Sequence, residues 1–349
     1  MTSNYFNQND NNYTINHTNT HILNQANQKP KRSKFPDVGF DDSAKQMKID
    51  ISNNSFQGST MMLDEPIMTR NQCSEMLNQN TQLVLEYIEN IHSSFYETEN
   101  NEYLKDLYPY PNYMKIKQKD INDKMRVILF DWLIDVHLKW KLLHETLFIT
   151  FNIIDRYLGV KPTQRDELQC VGVGALLLAC KYEEIYFPEI SDFQEITDNA
   201  FSKQEILKKE SDILFCLKYD ITVPSALRFF EIFNVYLKLE GREKYSALYL
   251  IELCIFDYSM LKFKPSLIAT GCMMLVISHN KKLKDILSYI CLYNNDQIAN
   301  FCLELMNIYK KPDHGSKSIT RKYSLPKFYE VGKVNIIAEL AEKHNKNIN

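Results

Sequence analysis

The segment that most limits the fold runs from Asp166 to Glu184. Its centre reads Val171-Gly172-Val173-Gly174-Ala175-Leu176-Leu177-Leu178-Ala179, apolar at every position. A surface helix needs one apolar stripe, whereas a helix that is apolar all round has to be surrounded. The two glycines let neighbouring helices approach closely. The run is too short to cross a bilayer, so it reads as the most buried helix of its domain. Thr163 and Asp166 resemble a capping pair at its start. Its end turns abruptly polar at Lys181-Tyr182-Glu183-Glu184.

Apolar residues at helical spacing surround this segment. Helices are expected at Met125–Trp140, His144–Leu158, Asp166–Glu184, Ile190–Ile196 and Ser202–Leu217, the last opened by a Ser202–Glu205 capping box. After Thr222-Val223-Pro224 a second set follows, near Ser225–Leu239, Glu243–Phe256, Pro265–Ser278, Lys284–Leu292 and Asp296–Tyr309. Its third helix, from Ser266 to Ser278, is again the apolar one. Two similar five-helix units in tandem suggest an internal duplication, although residue identity between them is weak. No stretch shows sustained strand alternation, so the class is all-α.

An amphipathic helix from Thr81 to about Tyr96 precedes the first unit, and Tyr108-Pro109-Tyr110-Pro111 ends any helix there. Residues 1–79 are rich in Asn, Gln, Ser and Thr without hydrophobic period, and are expected to be disordered. The resulting division is a tail at 1–79, a first unit with its N-terminal helix at 80–220, a second unit at 221–311, and a polar, irregular tail at 312–349.

Met125–Trp140 carries two apolar faces. Met125, Ile128, Leu129, Trp132 and Val136 cluster on one side, and Val127, Phe130, Ile134 and Leu138 on the other. Arg126 and His137 lie on one edge between them, Asp131 and Asp135 on the other. Periodicity alone allows two readings. Either the domain buries both faces, or one face is kept for a partner.

Composition removes several function classes. A net charge of −3 over 349 residues gives no general attraction to nucleic acid or anionic membrane. The 9 glycines form neither a G-x-G-x-x-G nor a Walker loop, so a nucleotide cradle is not expected. The 8 cysteines contain no C-x-x-C pair and sit mostly in apolar helical stretches, as small hydrophobes in a reducing compartment do. No constellation of nucleophile, base or metal ligands appears, so neither an enzyme nor a cofactor is expected. The tail holds one basic cluster, Lys29, Lys31, Arg32 and Lys34 around Pro30 and Ser33. It reads as a nuclear import signal or as a solvated charge run.

Several motifs carry a resemblance. Met125-Arg126-Val127-Ile128-Leu129-Phe130-Asp131-Trp132-Leu133, Asn152-Ile153-Ile154-Asp155-Arg156-Tyr157-Leu158, Leu168-Gln169 and Leu177-Leu178-Ala179-Cys180-Lys181-Tyr182-Glu183-Glu184 occur in that order. Pro111-Asn112-Tyr113-Met114, His137-Leu138-Lys139-Trp140, Lys322-Tyr323-Ser324 and Lys327-Phe328-Tyr329 accompany them. Over roughly residues 80–335 this set resembles the cyclin family, with its two tandem five-helix cyclin boxes, and the mitotic B type most.

The resemblance implies a non-catalytic subunit that binds and activates a cyclin-dependent protein kinase. In the B type this controls the cell cycle around G2/M, in nucleus and cytoplasm, with no direct contact to nucleic acid or membrane. It places Lys181 and Glu210 against the kinase, where an ammonium and a carboxylate can take exposed backbone groups with charge assistance. An ion pair within the domain is the plainer alternative. Tyr182, where the family usually has Phe, Leu214 and Ile221 are implied as further contacts. The resemblance also implies a docking patch for Arg-x-Leu motifs of substrates and inhibitors. It comprises Met125, Ile128, Leu129, Trp132, Leu168 and Gln169, with Asp135 and Asp198 as acidic partners of the Arg; a patch covered by the N-terminal tail is the alternative. One mitotic feature is missing: Arg32 and Arg70 are followed at the third position by Phe35 and Cys73, so no Arg-x-x-Leu box stands in the tail, nor does Lys-Glu-Asn. A transcriptional cyclin generally lacks the docking signature. A DNA-binding cyclin-fold factor such as transcription factor IIB wants a basic surface and a zinc ribbon, and neither is seen.

Overall fold

A computed structural model describes residues 87–309, 317–337 and 339 of the chain. The expected disordered tail, its basic cluster Lys29, Lys31, Arg32 and Lys34, and the start of the N-terminal helix lie outside the described residues. Among the described residues there is no strand. Helix α1 (Ile88–Asn100) leads into a 3-10 turn at Glu102–Leu107, which ends at the Tyr108-Pro109 break, and into the short α2 (Tyr113–Lys117). The first unit is α3 (Asp123–Trp140), α4 (His144–Val160), α5 (Leu168–Glu183), α6 (Ile190–Glu195) and α7 (Lys203–Cys216). The second is α8 (Ala226–Leu237), α9 (Gly241–Phe256), α10 (Pro265–Val276), α11 (Lys281–Ile290) and α12 (Asn295–Tyr309).

The apolar third helices are central, as their composition demands. Every residue from Cys170 to Cys180 of α5 is buried, and so is every residue from Ser266 to Met273 of α10. Glycine sets the approach in both. A Cβ on Gly172 would come 2.7 Å from Leu129 Cδ1 of α3, and one on Gly174 would stand 3.3 Å from the Glu210 nitrogen of α7. In the second unit the Phe301 ring of α12 covers Gly271 of α10 more closely still. Each unit therefore packs a glycine of its third helix under its fifth helix, which supports the duplication that helix order suggested.

Local signals set most boundaries. Asn122 caps α3 by accepting the Met125 N–H at 3.1 Å, and Lys141 closes it in the left-handed region at φ 57°. The Ser202–Glu205 box is present, with Glu205 N–H on Ser202 Oγ at 3.3 Å and Ser202 N–H on Glu205 Oε2 at 2.7 Å. The expected Thr163–Asp166 cap is not. Thr163 is buried, giving its N–H to Gln118 Oε1 at 3.0 Å, and α5 begins only at Leu168. Thr163 thus stands too far before the first helical residue to cap it, and its hydroxyl donates to the Lys161 carbonyl at 3.3 Å instead.

The polar C-terminal tail expected at 312–349 needs the larger correction. Within it, α13 (Lys317–Tyr323) and 3-10 turns at Pro326–Phe328 and Val331–Lys333 pack on both units. Ile319, Tyr323, Phe328, Val331 and Ile336 are buried there. These residues follow no single period because short turns, not one helix, present them.

Candidate functional site

Gly174 and Lys181 are seven residues apart on α5, so they share one stripe of the helix. Where Gly174 lets α7 come close, Lys181 meets Glu210 two turns later. Lys181 Nζ lies 2.8 Å from both Glu210 carboxylate oxygens. The carboxylate is nearly buried, whereas the lysine head remains partly open to solvent. The ion pair within the domain, the plainer alternative, therefore exists. Its ammonium still presents donors outward. Tyr182, the next residue, hydrogen-bonds through its hydroxyl to Thr222 Oγ1 at the start of the second unit, an interaction that Phe could not make. Leu214 follows Glu210 by one turn and is half-buried, as is Ile221 beside Thr222. The fold thus brings all five residues to one region.

Sequence reasoning missed the apolar surface around them. Ile185, Tyr186 and Phe187 continue from the end of α5 as an exposed run, and Phe215 stands 75% exposed on α7. Tyr219 is exposed after a turn in which Lys218 and Tyr219 take φ values of 54° and 63°. Exposed apolar side chains of this size are a feature of interaction sites. Loop residues and an outward helix face carry no periodic signal, though the run Ile185-Tyr186-Phe187 is conspicuous for a polar loop.

The second expected site is split. Ile128 is 68% exposed, and Met125, Trp132 and Gln169 are half-buried. Leu129 and Leu168, expected on the surface, are each only 5% exposed, and Val136 of the same face is buried as well. For Leu129 the cause is the space left by Gly172. The exposed part of the expected docking row is therefore narrower than the helical wheel implied. Asp198 is exposed in the turn after α6 at φ 52°, and its carboxylate makes no hydrogen bond or ion pair among the described residues. Asp135 is already paired, with Arg321 of α13. One turn earlier, Asp131 accepts the Ser318 N–H at 3.0 Å.

Buried polar groups hold these faces in place. Arg126 of α3 is fully buried and pairs with Asp155 of α4. Burial alone would lower the arginine's proton affinity, but the carboxylate raises it, so the guanidinium stays charged. Glu145 of α4 accepts from Ser225 Oγ at 2.8 Å across the two units, and Arg228 bridges to Glu183 at 2.7 Å. Burial pushes the Glu145 carboxyl up to about 7. Glu252 of α9 is buried with Lys322 of α13 at 2.6 Å. Burial would raise its proton affinity, yet the lysine holds it below the usual carboxylate range. Nothing local in the sequence announced these pairs; the hint was charged residues set inside apolar helices. Among the described residues no group of three His, Cys, Asp or Glu could hold a metal ion, and no helix is long and apolar enough to cross a membrane.

Comparison with known proteins agrees with this architecture. The family described as "Cyclin, N-terminal domain" matches residues 90–222, and "Cyclin, C-terminal domain" matches residues 224–336. Cyclin-B2-1 of Arabidopsis thaliana is 35% identical over 246 residues, covering 66% of this chain and 57% of that protein. G2/mitotic-specific cyclin-1 of Medicago sativa subsp. varia is 37% identical over 266 residues, covering 74% and 60%. The alignments thus span under two thirds of the length of these two relatives. Among solved structures, a viral cyclin from herpesvirus saimiri aligns with a TM-score of 0.48 and 21% identity, covering 60% of this chain and 96% of that one. Two matched domains cover both five-helix units and the docked C-terminal segment: the chain belongs to the cyclin family.

Proposed function

We propose that this chain is the non-catalytic regulatory subunit of a cyclin-dependent protein kinase, acting in cell-cycle control around G2/M. The observation that carries the reading is the Lys181–Glu210 pair set among exposed apolar side chains. The pair is anchored by a nearly buried carboxylate, yet the lysine side chain is partly exposed, with exposed Tyr182 next in the chain, Ile185 just past the end of α5 and Phe215 near the end of α7. A partner helix whose backbone ends there gains charge-assisted hydrogen bonds and apolar contact together. In kinases the regulatory helix must be held so that the catalytic Lys–Glu pair can form, and a rigid all-helical surface suits that task. The stage of the cycle is supported by the mitotic names of the relatives. Ile128 and Trp132 would then receive Arg-x-Leu segments of substrates. The basic cluster at Lys29, Lys31, Arg32 and Lys34 would give nuclear entry, with the protein in both nucleus and cytoplasm.

The test is capture of the full chain from dividing cells, with identification of the co-purifying kinase. Lys181→Ala combined with Glu210→Ala should retain the melting curve of a folded protein and lose kinase association about 30-fold or more. Normal kinase association by the folded double variant would overturn the reading.

A further inference from the structure

We propose that Arg321 is a resident occupant of the acidic end of the docking row, so that incoming segments are selected for their apolar residue and only weakly for their basic one. The inference rests on the docking reading above. Ile128, Trp132 and Asp135 follow at i, i+4 and i+7 along α3 and form one stripe. A segment laid over Ile128 and Trp132 with its basic residue at the far end would reach Asp135. That carboxylate is not vacant. Arg321 of α13 pairs with it through Nη2, and the same nitrogen hydrogen-bonds to Ser318 Oγ at 3.1 Å. One turn earlier, the Ser318 backbone N–H occupies Asp131 Oδ1 at 3.0 Å.

The occupant is held in place from beneath. Lys322, the next residue, sets Nζ 2.6 Å from Glu252 with both side chains 1% exposed. Tyr323 donates its hydroxyl to the same carboxylate oxygen at 2.8 Å. α13 therefore cannot swing aside without unpairing a buried charge. The Arg321–Asp135 pair itself is open to water, with side chains 60% and 45% exposed. At Asp135 an incoming guanidinium must share the carboxylate with Arg321 or displace it, and in either case meets a local positive charge, which leaves Asp198, exposed and with its carboxylate unpaired among the described residues, as its remaining acidic partner. Contacts to Ile128 and Trp132 escape this competition. Exposed ion pairs are worth up to about fivefold in an equilibrium constant, so Arg321 should weaken the preference for a basic residue without forbidding docking.

The test uses two short fluorescent peptides, one carrying Arg-x-Leu and one with that Arg replaced by Ala, titrated against the full chain. The wild-type protein should bind the two within about twofold. Arg321→Ala and the milder Arg321→Gln should bind the Arg peptide about three- to fivefold more tightly and leave the Ala peptide unchanged. Adding Asp135→Asn should erase that gain, as should salt at about 0.5 M. If the wild type already prefers the Arg peptide tenfold and the variants do not alter the ratio, the inference falls while the docking face stands. An equal gain for both peptides would mean that α13 shields the apolar row instead, and would also overturn it. If neither peptide binds the wild type or any variant, the docking reading itself falls.

Discussion

Arg126 lies fork to fork on Asp155, with Nε 2.6 Å from Oδ1 and Nη2 2.7 Å from Oδ2. Its remaining nitrogen donates to the Phe256 carbonyl at 2.6 Å, and Nη2 also reaches the Ile255 carbonyl at 3.2 Å. These carbonyls end α9 of the second unit, where intrahelical donors have run out. Tyr113 completes the carboxylate with a 2.7 Å hydrogen bond. One pair within the first unit thus caps a helix of the second, joining the two through the helix that carries the proposed docking row.

Breaking that pair from one side should be severe. Asp155→Leu leaves a buried guanidinium without its partner and should cost about 3–5 kcal/mol in urea unfolding. Replacing both partners, with Arg126→Met added, should recover a large part of the loss, since no buried charge is then unpaired. A double variant no better than the single one would place the cost in the lost cap on α9 instead.

Adjacent residues of α3 should separate stability from docking. Leu129→Ala removes a side chain packed on Gly172 and should cost about 2–5 kcal/mol of stability. Ile128→Ala, next to it but exposed, should change stability by no more than about 0.5 kcal/mol. Trp132→Ala should raise KM about thirtyfold for a kinase substrate bearing Arg-x-Leu, the effect of losing an anchor worth about 2 kcal/mol. A short peptide substrate without the motif should be unaffected. The checks are melting temperature and the ratio of activities on the two substrates.

The C-terminal segment should prove structural. Lys322→Met leaves the Glu252 carboxylate buried without its cation, with the Tyr323 hydroxyl at 2.8 Å and His144 Nδ1 at 3.7 Å as its remaining neighbours. A loss of about 3–5 kcal/mol is expected, which for a domain of this size lowers the melting temperature by about 10 °C. Deleting the chain from Lys317 onward should do at least as much. A loose polar tail would leave the melting curve unchanged.

Acid should destabilise the fold through its buried histidines. His137 donates Nε2–H to the Leu143 carbonyl at 2.9 Å, and burial, aided by Lys322, lowers its pKa from 6.5 to about 3. The same causes bring His144 to about 4. The unfolded chain takes up these protons near pH 6.5 and the folded one does not, so stability falls as the pH drops from 6.5 toward 4. Glu145 acts in the opposite sense. Its folded form keeps, up to about pH 7, a proton that the unfolded chain releases near 4.5, so its contribution falls as the pH rises through that window. Glu145→Gln should therefore make the melting temperature climb more steeply between pH 4.5 and 6.5 than in the wild type. An unchanged slope would refute the assignment.

The sequence by itself determined the ten helices of the two units, their order and the two apolar centres, because periodicity, capping boxes and helix-breaking prolines act over a few residues. The ordered motifs were local too, and the resemblance they carry implied Lys181, Tyr182, Glu210, Leu214 and Ile221 before their meeting was seen. Tertiary structure alone decided between Ile128 and Leu129, apolar neighbours that differ only because Gly172 leaves room for one of them. It also decided that Arg126, Asp155, Glu252 and Lys322 are buried. Those partners stand 29 and 70 residues apart, beyond the reach of any local pattern. The C-terminal segment shows the same limit. Its apolar residues are few and irregularly spaced, and they become core only because the two units have already built the surface that receives them.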